Sequence, residues 1–414
     1  MWKKALIIGL GKSGQGALHL LSSYNVEIIA VDKNENLFTP QKHISFFKDT
    51  DDVDLSDVDV AVLSPGIPLS HKIVKEVEKK AIPLISEIEL GLKFCKNKIV
   101  GITGSNGKTT TTLLIEFILN QTKRSAKALG NVGRSFCESL KEVNKEDIIV
   151  LELSSYQLET VYSKNLIAAT ILNITPDHMD RYKTLEDYAK AKCRIFSLLK
   201  KEGFLFVNKD VYEKFFKNNK RVKNFEDIAK VCPKLYVPCR IAKENLIAAF
   251  SICKELGVKE EEFFSKINEF KLPPHRLEFV AEVNKVCFYN DSKATNVEAV
   301  LNALEKVMPP VILIAGGLDK HLSFEKLNVA CKGRVKCVFA IGQCAEKIKT
   351  EITNVPVYIV TTLQEAVNKA YSEAKIKDNI LLAPACASFD MFKNYEHRGE
   401  EFKRCVKAIE ERVK

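Results

Sequence analysis

Gly101-Ile102-Thr103-Gly104-Ser105-Asn106-Gly107-Lys108-Thr109-Thr110-Thr111 decides how the rest of this chain is read. The apolar lead-in Lys98-Ile99-Val100 predicts a strand entering a glycine turn, and Thr110 to Leu119 predicts a helix leaving it. Such a turn cradles phosphate. Gly104 and Gly107 let backbone N–H groups point inward, and the helix N-terminus adds positive potential. Lys108 supplies a point charge and Thr109 a hydroxyl suited to magnesium, with Ser105, Asn106 and Thr110 completing the loop. The spacing departs from the strict phosphate-loop pattern, because Ile102 stands five residues before Gly107.

Outward from this loop, the N-terminal run Ala5-Leu-Ile-Ile-Gly9-Leu-Gly11-Lys-Ser13-Gly14-Gln-Gly16 predicts a buried strand, a glycine turn and a helix start. A second strand, Val26 to Val31, ends in Asp32, at the distance where an acid takes a ribose hydroxyl. Alone this pattern says NAD, but the same turn serves any nucleotide diphosphate. A third apolar segment, Val58 to Leu63, ends in Ser64-Pro-Gly-Ile-Pro, a loop where open parallel sheets bind ligands. The first domain closes near Lys93, after a helix capped by Ser86.

Beyond the phosphate loop come Gly130-Asn131-Val132-Gly133 and the buried strand Ile148 to Glu152. A carboxylate in an apolar run is costly unless paired or bound to a cation, which makes Glu152 a magnesium candidate; the alternative is an acid capping the next helix. A strand from Ala168 leads to His178, which reads either as a ligand or as a loop hydrogen-bonder. Residues 203–245 show weak periodicity, and Asn245 to Leu256 predicts a helix. The prolines of Lys271-Leu-Pro-Pro-His-Arg276 mark an interdomain hinge, with Arg276 placed to reach phosphates. Strands at Val286–Asn290, Val311–Ala315, Cys337–Ile341, Val355–Val360 and Ile380–Ala383 predict a third α/β domain. Its polar clusters, Asn290 to Asn296, Gly316 to Lys320 and Pro384 to Asp390, all lie just past strand ends and favour one ligand site.

Composition bounds the partners. A chain of 414 residues with 46% apolar content suits two or three domains. The net charge of +10 comes from dispersed lysines, which suits anionic small substrates, and no recognition-helix or RNP-like signature calls for nucleic acid. The twelve cysteines form no C-x-x-C pair, which predicts free thiols in a reducing cytoplasm, with structural zinc the alternative. Ala5 to Leu10 is too short for a signal core or a membrane span.

Together Ile102-Thr-Gly-Ser-Asn-Gly-Lys, Leu151-Glu-Leu-Ser-Ser-Tyr-Gln-Leu-Glu, Asp177-His-Met-Asp-Arg-Tyr, Pro274-His-Arg-Leu-Glu, Asn290-Asp-Ser-Lys-Ala-Thr-Asn and Pro384-Ala-Cys-Ala-Ser resemble the Mur ligase family, in the family's order. The resemblance implies three α/β domains: a Rossmann-like one at 1–93 for a UDP substrate, a central P-loop ATPase-like one with a mostly parallel sheet at 94–272, and a Rossmann-like one at 273–414 for an amino acid. It implies joining of D-glutamate to UDP-N-acetylmuramoyl-L-alanine through an acyl phosphate, with ATP and Mg2+, by a cytoplasmic monomer. Lys108 would steady the β- and γ-phosphates, Thr109 and Glu152 would serve one magnesium, and His178 a second. Gly11, Ser13, Asp32, Ser64 and Asn131 would hold the UDP substrate. Asn245, Arg276 and Asp291 would hold the nucleotide, and Thr295, Lys320, Ser388 and Tyr395 the amino acid. The helical spacing of Leu185, Tyr188, Ala189, Phe196 and Leu199 puts Lys192 on an apolar face, opposite Lys183, Asp187, Lys190 and Arg194, where a lysine by itself reads as an ammonium snorkelling to solvent; the resemblance implies instead that Lys192 aligns with a lysine that the family carbamylates and uses as a metal ligand.

The chain also departs from the family. Ile241 and Ala242 stand where a His-Asn pair is common, Tyr395 replaces a phenylalanine, and Lys33 and Asn34 replace threonine and arginine after Asp32. Two other readings compete: an NAD-dependent oxidoreductase or sensor with an incidental glycine loop, and a sister ligase that adds L-alanine or a diamino acid.

Overall fold

A computed structural model describes residues 2–179, 181–232, 235, 241–320 and 323–413. The apolar runs become three sheets. The first contains β1 (Lys4–Ile8), β2 (Glu27–Val31), β3 (Ile44–Phe47), β4 (Val60–Leu63) and β5 (Leu84–Ser86), in the order β3-β2-β1-β4-β5 and parallel throughout. The second contains β6 (Lys98–Thr103), β7 (Ala126–Gly130), β8 (Ile148–Glu152), β9 (Leu166–Ile171), β10 (Leu199–Val207) and β11 (Val222–Asn224). Its order is β11-β10-β9-β6-β8-β7, again all parallel. The third contains β12 (Glu278–Val283), β13 (Val286–Asn290), β14 (Val311–Gly316), β15 (Val335–Ile341), β16 (Val357–Ile359) and β17 (Asn379–Leu382). Its order is β12-β13-β17-β14-β15-β16, with only β12 antiparallel.

Side chains alternate across each strand, so unbroken apolar runs such as Val-Ile-Leu-Ile-Ala at 311–315 require cover on both faces. They receive it. In the third sheet Leu313 and Ala315 join one buried cluster, while Ile312 and Ile314 join another on the opposite face. In the first, Ala5 and Ile7 oppose Leu6 and Ile8 in the same way. The expected class, three α/β domains with mostly parallel sheets, is what forms.

Several strands escape the sequence pattern for physical reasons. β3 and β5 are short, and β12 is an edge strand whose Glu-Phe-Val-Ala-Glu-Val pattern leaves Phe279 exposed; β16, expected over Val355–Val360, forms over Val357–Ile359. Residues 203–245, which carry little periodicity, hold most of β10 and all of β11 together with the helix Phe225–Val231; the call on 233–234 and 236–240 lies outside the described residues.

The chain divides into two compact units, Met1–Ile174 with Glu186–Phe270, and Thr175–Leu185 with Lys271–Lys414. Within the first unit the helix Glu87–Phe94 links the first two sheets. Ser86 caps it, accepting from Glu89 N at 3.1 Å. Glu87 Oε1 accepts from Cys137 N at 2.6 Å, and Glu89 Oε2 accepts from Tyr162 N and Ser163 N, each at 2.9 Å. Desolvation pushes the Glu87 carboxyl up to about 7 despite these donors.

Candidate active site

β6 delivers the glycine loop at the carboxyl end of the second sheet, and the helix Lys108–Gln121 leaves it. Gly107 sits at φ +84, and a Cβ there would lie 2.2 Å from Asn245 Oδ1, so the close fit of Asn245 requires glycine. Asn245 itself is buried in the first turns of the helix Lys243–Glu255. The expected nucleotide residues of this unit are thereby brought together.

Lys108 Nζ donates to the carbonyls of Gly104 and Ser105 at 2.8 and 2.9 Å. Lys192 Nζ donates to the same Gly104 carbonyl at 2.8 Å and lies 4.5 Å from the Tyr188 ring centroid. Tyr188 also shares a 3.3 Å hydrogen bond with Ser105 Oγ. Two ammonium groups thus converge on one carbonyl oxygen, an arrangement that favours anionic charge beside it. Lys192 is buried, at 1% exposure, as its place on the helix Leu185–Cys193 predicts. Two details of that helix need correction. Leu185 is exposed, and beyond Cys193 the chain tightens into a 3-10 turn over Arg194–Leu198, which rotates the later positions. Arg194 consequently lies half-buried, donating to the carbonyls of Leu158 and Val161, instead of facing solvent with Lys190.

Beside the loop, the register pairs Glu152 with Ile102, so β8 ends level with the start of the glycine turn. Glu152 is 1% exposed; Oε1 accepts from Asn131 Nδ2 at 2.9 Å, whereas Oε2 is buried with no hydrogen-bond partner. A buried carboxylate oxygen without a donor fits a hard cation. Asn131 is exposed and keeps its remaining amide valences.

In the first sheet the expected substrate residues serve the glycine turn. Asp32 Oδ2 accepts from Leu10 N at 2.6 Å and Oδ1 from Asn34 N at 2.8 Å, while Ser64 Oγ donates to Gly9 O at 2.7 Å. Gly14 must be glycine, since a Cβ would lie 1.9 Å from that Gly9 oxygen. Gly11 is the N-cap of the helix Lys12–Ser22, and Gly11 is exposed while Ser13 is half-buried.

The C-terminal unit gathers its own set. Leu277 N donates to Asp291 Oδ1 at 3.1 Å; burial pushes Asp291 up to about 6, against the pull of Arg276. Lys320 Nζ donates to Asp177 Oδ1 at 3.0 Å, and Asn296 Nδ2 donates to Asp177 Oδ2 at 3.3 Å. His178 follows Asp177 in a left-handed conformation, φ 58, with its own N donating to Asp177 Oδ1 at 2.9 Å. Asp177 is therefore the node joining Lys320 to the His178 turn, a role the sequence reading missed. Ser388 is buried and Thr295 half-buried, and Lys293 Nζ sits 3.7 Å from the Tyr395 ring centroid.

The three polar clusters do meet, through a residue the sequence reading also missed. Arg398, 0% exposed, donates to Ser292 Oγ and Ser292 O at 3.0 and 2.9 Å, to Cys386 O at 3.2 Å, to Ala387 O at 3.3 Å and to Gly316 O at 3.5 Å. Burial lowers its guanidinium to about 10. The available signal was a charge on an apolar stripe: Phe402, Cys405 and Ile409 continue the face that Arg398 begins in the helix Tyr395–Val413.

Family models agree with this arrangement. The Mur ligase MurD-like N-terminal domain matches residues 3–86, the Mur ligase middle domain 102–232, and the Mur ligase glutamate ligase domain 275–386. The chain belongs to the Mur ligase family. It is 42% identical to the UDP-N-acetylmuramoylalanine--D-glutamate ligase of Protochlamydia amoebophila, covering 98% of each chain. The protein of that name from Aquifex aeolicus is 39% identical over 97% of this chain and 98% of its own. Among solved structures, MurF ligase from Thermotoga maritima in complex with ADP aligns with TM-score 0.62 at 14% identity, covering 99% of this chain and 96% of its own. MurC from Thermotoga maritima aligns with TM-score 0.59 at 15% identity, covering 98% and 99%. These two likenesses bear on the fold alone.

Proposed function

We propose that this chain is an ATP-dependent ligase that adds D-glutamate to UDP-N-acetylmuramoyl-L-alanine in peptidoglycan precursor synthesis. The relatives that match it end to end carry that name. The carrying observation is the convergence of Lys108 and Lys192 on the Gly104 carbonyl beside the unpartnered Glu152 Oε2. That is the charge pattern a polyphosphate with its metal would complete.

The L-alanine carboxylate takes the terminal phosphoryl group of ATP, and the D-glutamate amine then displaces phosphate to form the amide. Lys108 offsets the charge on the transferring group, and Asn245 holds the nucleotide against Gly107. Thr109 and Glu152 are the residues to hold magnesium, which draws negative charge off the phosphate oxygens when bound. His178 is the candidate for a second ion. Lys192 acts as a carbamate: its neutral amine attacks carbon dioxide, an N–C bond forms, a proton leaves, and an anion with two oxygen ligands replaces an ammonium. Gly11, Ser13, Asp32, Ser64 and Asn131 serve the UDP substrate. In the C-terminal unit Arg276 and Asp291 contribute nucleotide contacts, while Thr295, Lys320, Ser388 and Tyr395 form the amino-acid site. The spans 1–93, 94–272 and 273–414 carry these three tasks, in a monomer working in the cytoplasm where its nucleotide substrates are made.

A phosphate-release assay with ATP, UDP-N-acetylmuramoyl-L-alanine and a panel of amino acids tests the reading. D-Glutamate alone should support turnover. Release with L-alanine or a diamino acid instead would assign the chain to a sister activity, and tight NAD binding with no turnover would overturn the ligase reading.

A further inference from the structure

We infer that Glu244 is a positioning residue for the phosphate loop, acting through Asn173. The inference rests on the ATP reading above and extends it to a residue outside the loop. Asn173 grips the loop by three hydrogen bonds. Its carbonyl accepts from Ser105 N at 2.9 Å, its Oδ1 accepts from Asn106 N at 2.8 Å, and its Nδ2 donates to Asn106 O at 3.3 Å. An asparagine side chain can grip a peptide from both sides only if its amide is held in one of two flipped orientations. Glu244 Oε2 holds it, accepting from Asn173 Nδ2 at 3.2 Å and so assigning that atom as the donor.

Glu244 is itself held. Burial pushes the Glu244 carboxyl up, while Asn173 and the nearby Asn208 pull it down; Asn208 Oδ1 accepts from Val211 N at 3.1 Å. Glu244 lies in the first turn of the helix Lys243–Glu255, where the helix dipole favours a carboxylate. The next residue, Asn245, packs on Gly107. One helix start therefore sets the loop at two points, Gly107 directly and Asn106 through Asn173. The side chains of Ile241 and Ala242, just before this helix start, carry no hydrogen-bonding group. The backbone N–H groups that a phosphate must find are those of the 104–108 turn, and their pre-set orientation is what binding would otherwise have to establish.

The test measures ADP binding, with magnesium, by calorimetry, and needs no turnover. Glu244→Ala should weaken ADP about tenfold, as loss of a hydrogen bond to a charged acceptor does, and Glu244→Gln about threefold, since its carbonyl still receives Asn173. Asn173→Ala should match or exceed Glu244→Ala, and the double variant should bind no more weakly than Asn173→Ala, because both act on one path. Affinity for UDP-N-acetylmuramoyl-L-alanine should be unchanged in all four. Unaltered ADP binding in Glu244→Ala, or additive losses in the double variant, would overturn the inference. An equal loss for both ligands would also overturn it, by showing general destabilisation; Glu244→Gln, close in shape, guards against a simple folding failure. Wild-type protein that fails to bind ADP would instead bring down the ATP reading itself.

Discussion

Lys108 and Lys192 share an acceptor but differ in what their surroundings ask of them. In the proposed reaction Lys108 serves the phosphate loop, and its loss removes a placed charge from phosphoryl transfer. Lys108→Ala should lower kcat by several powers of ten, about 4 kcal/mol or more by analogy with other electrostatic stabilisers of transition states, with its melting temperature preserved. Near-normal turnover in the folded variant would remove Lys108 from the chemistry. Lys192 is the more deeply buried of the two. Lys192→Ala should be nearly inactive and partly rescued by acetate, whose carboxylate replaces the missing oxygen ligands. Full activity in Lys192→Arg, which keeps the positive charge, would exclude the carbamate.

Among the elements, the short helix Glu87–Phe94 begins with a buried carboxyl whose titration is shifted. Its Glu87 carboxyl is 2% exposed and raised from 4.5 to about 7, so the folded state holds a proton that the unfolded chain releases at lower pH. The corresponding stability is fully present below about 4.5 and is lost as pH rises through about 7. Wild-type melting temperature should therefore fall between pH 5 and pH 8 by a component that Glu87→Gln lacks, since glutamine carries no proton to lose. Parallel melting curves for the two proteins across that range would show that Glu87 does not titrate there. The helix Tyr395–Val413 shows the converse device, a permanent charge in the core: five carbonyl and hydroxyl contacts let Arg398 keep its proton while tying three loops together.

For the whole molecule, the segment Thr175–Leu185 belongs by its contacts with the C-terminal residues, although the chain enters and leaves it from the second sheet. Asp177 on this segment holds Lys320, so the proposed amino-acid site of the C-terminal unit draws on two distant stretches of sequence. An ammonium placed by a buried carboxylate is pre-oriented for an anionic substrate group. Lys320→Ala should raise the KM for D-glutamate at least about tenfold while moving the KM for ATP little. Equal effects on both constants would assign Lys320 to the nucleotide.

The amino-acid order by itself determined the class and the chemistry: unbroken apolar runs require parallel sheets covered on both faces, and the glycine loop with Lys108 and Thr109 is a local pattern, so adjacent residues suffice to recognise it. Glu152 was also legible, because an acid at the end of an apolar run conflicts with its surroundings. What only the tertiary structure decided were contacts between residues far apart in sequence. Asp177 with Lys320 and Glu244 with Asn173 leave no local pattern, and the stripe that carries Arg398 does not say which carbonyls it binds. A hydrogen bond depends on distance and direction, and those are set only when strands from remote parts of the chain lie side by side.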